Sequence, residues 1–380
     1  MDADNLLYCA TDKEIFDVLM SSKQRISAPV LLELAKDRGI FYSAQDTREM
    51  LVHRLSLLTH DYNDLTIILD QREQAGRSEK LTSVTLNTAL TIEEIKEVAN
   101  EYIAESPSDE KVRAHQRGAD QYVVNVQYSD VNYSKTRLVQ RTPKEAGIEF
   151  HIEDGKTIIR MPSNAKARQV VDNIKGRLDG KKKKDIPLAL IELTAFKTAA
   201  ERTEFFTRLI STLKGFKLDN VTSVKVEPIK VLDAEGSGLS LDAGSDGEKS
   251  THEEQEALAL IRNVALKGET LLASQEYQSL LKKGFFITSI VWRSKQTDFP
   301  YPIVEFEAAF EEPDTGKGFK YAVRGALNFA EGEYTKTLRP IEDETKQKYL
   351  SLLEQTAASV IGLLETASSD KAKTVPLSGK

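Results

Sequence analysis

The side chains best placed to act on a ligand are cations. Between Lys156 and Lys184 there are ten bases against two acids, Asp172 and Asp179. The run Lys181-Lys182-Lys183-Lys184 closes that stretch, with Lys166 and Arg168 ahead of it. Upstream, Lys135, Arg137 and Arg141 occupy alternate positions of a segment with strand-like period, which puts them on one face. Cations gathered in this way repel one another unless an anion or an acidic surface covers them. The chemistry they allow is non-covalent capture of phosphates, which gives affinity without sequence readout and weakens steeply with salt. Lys135, Arg137, Arg141, Lys166, Arg168 and Lys181 to Lys184 are therefore the candidate nucleic-acid contacts. Tyr128 and Tyr133 are the nearby aromatic residues that could interleave with them.

Residues for covalent chemistry do not assemble into a motif. There is no Gly-x-x-x-x-Gly-Lys loop, no dinucleotide fingerprint and no Gly-x-Ser-x-Gly elbow. The histidines (His53, His60, His115, His151 and His252) are scattered. His53 and His60 would share a helix face only if their helix ran on past His60. Glu149, Glu153 and Asp154 with Lys156 could be taken for a fragment of a metal-dependent nuclease, yet a salt-bridged hairpin accounts for all four. Cys9 is the single cysteine, so it can form neither an intrachain disulfide nor a Cys-rich zinc site. No catalytic residue, metal or cofactor is expected, and the chain reads as a non-enzyme.

The elements that must position the cations follow from the patterning. A length of 380 residues, 40% of them apolar, suits two or three folded domains. The net charge of -7 conceals an uneven distribution: Asp233 to Gln255 carries seven acids and one base. Residues 1–106 read as a helical module. Thr11-Asp12-Lys13-Glu14 is a capping box, Ser27-Ala28-Pro29 opens a second helix, Asp46-Thr47-Arg48-Glu49 a third and Thr91-Ile92-Glu93-Glu94 another. Gln71 to Leu86 carries neither helical nor strand period.

Residues 119–231 read as an α+β domain. Gln121 to Tyr128 and Lys135 to Arg141 alternate as strands, and Gly147 to Met161 reads as a hairpin turning at Asp154-Gly155. That register sets Glu153 against Lys156, Glu149 against Arg160 and Phe150 against Ile159. A helix from Ser163 to Leu178, a strand from Pro187 to Phe196, a helix from Thr198 and a strand from Val221 follow. Residues 232–252 read as an acidic flexible linker. Residues 253–367 read as a second α+β domain: helices at 253–267 and 270–283, strands from Phe285, Ile303 and Phe319, and a terminal helix from Ile341. One register sets Glu307 against Arg324. Residues 368–380 read as a polar tail. The expected fold is α+β: an all-helical module, then two antiparallel sheet-plus-helix units whose shared order suggests a duplication.

One stretch resembles a known family. Ser27 to Leu58 carries Leu31, Leu32, Leu34-Ala35, Arg38-Gly39-Ile40, Ser43, Asp46-Thr47-Arg48-Glu49, Leu51 and Arg54-Leu55. It is similar to the SAP module, a helix–extended–helix unit of DNA-associated proteins, through the helix-ending Gly39 and the Leu51 to Leu55 spacing. The resemblance covers residues 27–58 and implies DNA rather than RNA as ligand, with Arg48 and Arg54 as contacts. Family members carry surplus bases around the second helix, whereas here acids and bases balance.

These readings lead to a non-enzymatic nucleic-acid-binding or sensing subunit of a multi-protein system, such as a bacterial defence or regulatory complex. The alternative is an oligomerising scaffold or adaptor that docks a protein partner. The acidic start Met1-Asp2-Ala3-Asp4 and the lack of a long apolar run lead to a cytoplasmic location without a membrane partner.

Overall fold

A computed structural model describes residues 10–72, 79–228, 264–267, 275–330 and 332–373. In chain order the elements are α1 (Asp12–Ser21), α2 (Ala28–Asp37), α3 (Arg48–Ser56), α4 (Tyr62–Arg72), β1 (Leu81–Leu86) and α5 (Ile92–Glu105). Next come β2 (Lys111–Gln116), β3 (Gln121–Val131), β4 (Arg141–Glu153), β5 (Lys156–Pro162), α6 (Ala165–Lys182), β6 (Leu188–Leu190) and α7 (Ala199–Ser211). Then follow β7 (Phe216–Pro228), β8 (Val264–Lys267), α8 (Gln275–Lys282), β9 (Phe285–Gln296), β10 (Ile303–Glu312) and β11 (Lys317–Leu327). The small strands β12 (Phe329–Ala330) and β13 (Glu333–Tyr334) precede α9 (Asp343–Lys373).

The architecture is α+β, and the chain divides into two units interleaved along the sequence. The first takes the chain as far as Glu79, then Leu90–Ile152 and Asn164–Asp185. The second takes Lys80–Ala89, Glu153–Ser163 and the chain from Ile186 onward.

In the first unit, local chemistry sets the helix ends. The Thr11 hydroxyl accepts from the Glu14 N–H at 3.3 Å while the Glu14 carboxylate accepts from the Thr11 N–H at 2.9 Å. Thr91 and Glu94 repeat that box at α5. At the end of α2, Gly39 adopts φ +71°, which lets the Ile40 N–H return to the Ala35 carbonyl at 2.9 Å. Ile15, Val18, Leu19, Ile26, Leu31, Leu51, Leu55, Leu65 and Ile68 form the core between these helices. β2, β3 and β4 pair antiparallel in that order.

In the second unit the strand order is β5-β1-β11-β10-β9-β7-β8, antiparallel at each pairing, with β6 also on β1. Its core joins α7 and α9 to the sheet through Phe205, Leu209, Trp292, Phe306, Tyr321, Leu353 and Val360.

Several segments differ from the expectations, each for a local reason. Lys135 to Arg141 is not a strand. Asn132 accepts from the Ser134 N–H at 3.0 Å and its own N–H returns to the Gln140 carbonyl at 2.8 Å, closing a loop. Arg137–Val139 forms one turn of 3-10 helix, and the consecutive residues Leu138 and Val139 both enter the helical core, which a period-two strand cannot arrange. Pairing within 187–196 is confined to β6; Leu193 and Phe196 are buried from irregular backbone. β1 was hidden in the sequence because Thr82, Ser83 and Thr85 mask its period, yet Thr82 and Ser83 are buried with it.

The 253–267 helix is contradicted at its end, where Val264–Lys267 pairs antiparallel with β7. The acidic stretch 232–252 lies outside the described residues, as do 374–380 beyond α9. β10 and β11 pair with Glu307 opposite Ala322 rather than Arg324. From Phe306 onward the slip is two residues, which keeps those side chains on their expected face, and Arg324 still lies 3.8 Å from Glu307; a bulge between Glu305 and Phe306 shifts the register before it. Asp154 and Gly155 both adopt positive φ, as the turn signal required. Glu149 meets Arg117 at 3.6 Å and His151 at 3.2 Å, while Arg160 turns to Glu354 at 2.6 Å. Among the described residues no helix is long and apolar enough to cross a membrane.

Candidate functional site

Most of the basic surplus is neutralised within the first unit. α6 aligns its bases with the acidic face of α5. Lys182 lies 3.0 Å from Glu94, and Lys181 lies 2.6 Å from Glu97 and 2.8 Å from Glu101. Arg177 lies 2.6 Å from Glu105 and Lys175 2.6 Å from both Asp179 and Asp185. Lys166 is paired with Glu110. The pairing shifts the titrations as expected: Arg177 holds the Glu105 carboxyl below its ordinary value, and Glu101 with Glu97 raises Lys181. Arg168, half-buried on the first turn of α6, is also engaged by a neighbour. Lys183, in left-handed conformation at the helix end, and Lys184 remain exposed without a carboxylate among the described residues.

The cations expected from the resemblance are occupied as well. Arg48 donates through Nε to the Ile26 carbonyl at 3.0 Å and through its terminal nitrogen to the Leu19 carbonyl. It thus closes the end of α1 against the turn before α2. Arg54 meets Asp46 at 2.7 Å and stands 5.4 Å from the centre of the Tyr42 ring. Arg137 is bidentate on Glu14, at 2.5 Å and 3.0 Å. That contact, with the Thr11 N–H, depresses the Glu14 carboxyl to about 2. His60 is fixed by the Leu55 carbonyl at 2.8 Å and by Arg38 at 3.2 Å. Among the described residues no group of three or more His, Cys, Asp or Glu side chains gathers as a metal site would require.

Lys135 is different. Its loop faces the end of α1 across an open cleft of about 590 Å³ lined by Ser21, Ser22, Lys23, Gln24, Arg25, Lys135 and Thr142. Lys23 and Lys135 are exposed and Arg25 is half-buried. None of the three has a carboxylate partner among the described residues, and the cleft lining contains no acid. Arg141, exposed at the start of β4 and also without an acid, adjoins Thr142.

Two structural causes bring the cations together. α1 stops at Ser21 and Ser22, whose hydroxyls return to the Val18 carbonyl at 3.1 Å and 2.8 Å, so the chain turns and Lys23 to Arg25 project beyond it. The burial of Leu138 and Val139 in the helical core anchors the loop that carries Lys135. Three uncompensated charges, with the Gln24 amide and the Thr142 hydroxyl in the same lining, suit an oxyanion held by charge and hydrogen bonds together. Of the candidates, the structure therefore places Lys135 in a charged cleft and Arg141 at its neighbouring strand position, and it disperses or pairs the rest. Lys23 and Arg25 were missed, although Ser21-Ser22-Lys23-Gln24-Arg25, a polar turn with bases and no acid directly after a capped helix, was visible in the sequence.

No protein-family model matches the chain, and no curated protein matches its sequence.

Proposed function

We propose that the chain is a non-enzymatic nucleic-acid-binding subunit whose first unit holds phosphates in the cleft of Lys23, Arg25 and Lys135. The observation that carries this reading is the carboxylate-free lining of that cleft in a unit where most of the other sequence-expected cations are engaged within the fold. Clustered positive charge with no internal counter-charge is disfavoured unless an anion completes it. Phosphate contacts of this kind position a nucleic acid and leave its sequence unread. The SAP-like shape of residues 27–58 supports DNA as the ligand, although Arg48 and Arg54 are spent within the fold.

Retention of labelled DNA and RNA by the full chain at rising salt tests the reading. Three phosphate contacts give a slope of log K on log salt of about -3 on duplex DNA. Charge reversal at Lys23 and Lys135 together should abolish retention at low salt. No retention by the wild-type chain, or retention indifferent to salt, rejects it.

A second reading, an oligomerising scaffold, is favoured by one observation: Met50 on α3 and Leu57 at its end, seven positions apart, are both exposed, as are Tyr62 and Ile67 of α4. Light scattering after size exclusion should then show a defined oligomer that Leu57→Glu dissociates. A monomer rejects it.

A further inference from the structure

A separate concentration of unengaged chemistry lies in the second unit, at the turn between β9 and β10. Phe299 is 83% exposed, Phe329 46% and Tyr301 41%. The Phe299 and Tyr301 ring centres lie 6.0 Å apart and perpendicular. The Tyr334 hydroxyl donates to the Tyr301 carbonyl at 3.0 Å, and the Tyr334 ring meets Phe329 at 5.0 Å. The four rings make two pairs, joined by the hydrogen bond from the Tyr334 hydroxyl to the Tyr301 backbone carbonyl. An edge-on or tilted contact leaves at least one face of each ring clear of its partner ring.

Cations border the cluster. The Lys295 ammonium stands 5.4 Å from the Tyr334 ring centre. Lys217 of β7 is the cross-strand partner of Lys295 and so shares its face of the sheet. Both are exposed, and neither has a carboxylate partner among the described residues.

The turn is held at both ends. The Gln296 N–H donates to the Pro302 carbonyl at 2.9 Å, the Thr297 N–H to the Gly215 carbonyl at 2.9 Å and the Tyr301 N–H to the Asp298 carbonyl at 2.9 Å. The Thr335 N–H reaches the Asn328 carbonyl at 3.0 Å. Tyr301 keeps φ +57°, a conformation rare for a bulky residue. Rings presented on such a frame lose little freedom when a planar ligand settles on them.

We propose that this cluster is a stacking platform for unpaired nucleobases, with Lys295 and Lys217 taking the adjoining phosphates. The inference rests on the nucleic-acid reading above and narrows the ligand to a single strand. Every base offers a ring face, so stacking is tolerant of sequence, and the strand supplies the negative charge that the lysines lack. A duplex keeps its bases stacked inside and cannot use the rings. A proline-rich peptide could use the rings and would leave the lysines uncompensated.

The test compares binding of a labelled oligothymidylate and a hairpin duplex of equal length by the full chain. Phe299→Ala should weaken single-strand binding about 10- to 100-fold and leave duplex binding unchanged. The exposure of Phe299 keeps this substitution clear of the core. Phe299→Tyr should bind as wild type and Phe299→Leu as Phe299→Ala. Lys295→Gln should reduce the salt slope by about 0.7. Unchanged single-strand binding by Phe299→Ala overturns the platform. Full binding by Phe299→Leu also overturns it, in favour of a general apolar dock such as a peptide site. Failure of the wild-type chain to hold either probe removes the nucleic-acid reading itself. Retention of both probes with Phe299→Ala indifferent removes the platform alone.

Discussion

Glu14 Oε1 lies 2.5 Å from Arg137 Nε, although 123 positions separate the two residues. The same carboxylate caps α1, so one acid ties the start of the first helix to the loop that presents Lys135. Arg137 is thus engaged within the fold, whereas its neighbour Lys135 has no carboxylate partner among the described residues.

The acid limit of the first unit should follow Glu14. Its folded carboxyl is lowered to about 2, below its ordinary value, because Arg137 and the Thr11 N–H favour the ionised form. A depressed carboxyl contributes stability above its unfolded value, and that contribution is lost as pH falls from about 4.5 through about 2. Glu14→Gln should therefore lower the melting temperature at neutral pH by the equivalent of about 1 kcal/mol. The gap should close toward pH 2, as thermal melts across pH would show. A gap that persists unchanged there contradicts the assignment.

The terminal helix of the second unit should depend on one buried ion pair. Arg160 and Glu354 are 2% and 5% exposed and joined at 2.6 Å and 2.8 Å. Ser351 accepts from Arg160 at 3.0 Å, and Gln347 and the Tyr321 hydroxyl complete the network. Burial and Glu354 push the Tyr321 phenol well above its ordinary value, so it stays a donor across the physiological range. Glu354→Ala strands a buried guanidinium and should cost about 3–5 kcal/mol in urea unfolding. Arg160→Met with Glu354→Leu should recover much of that loss, since two apolar groups leave no charge unpaired.

Arg48 should prove structural. It satisfies the carbonyls of Leu19, in the last turn of α1, and of Ile26, beyond that helix. Arg48→Ala is expected to lower stability by about 1–3 kcal/mol, the cost of buried acceptors left unpaired. Nucleic-acid affinity measured where the variant is folded should not change. Lost affinity with unchanged melting would reverse the assignment.

The lysine run should prove largely inert in binding. Lys181→Gln with Lys182→Gln removes bases already paired with Glu94, Glu97 and Glu101. Retention of DNA should stay within about twofold, and stability should fall only slightly because these pairs are partly exposed. A drop comparable to that of the Lys23 and Lys135 reversal would return the α6 bases to the binding surface.

Local signals were enough to read the α+β class and many element ends from the chain. Thr11 with Glu14, Thr91 with Glu94, and Gly39 after Lys36 act within a turn, so the interactions that set them are neighbours in sequence. The buried faces of α6 and α7 were equally legible from their period. The charge surplus was visible too, but its meaning was not, because pairing depends on which helix lies alongside. Glu94, Glu97, Glu101 and Glu105 stood some eighty positions from the bases they neutralise, and nothing in either run names the other. The same limit hid the cleft: Lys23 and Lys135 are ordinary surface lysines until the burial of Leu138 and Val139 brings the Lys135 loop to the end of α1. Sequence determined which short segments turn, coil or extend. Tertiary packing decided which charges were cancelled and which remained, since Coulomb attraction acts on distance in space and not along the chain.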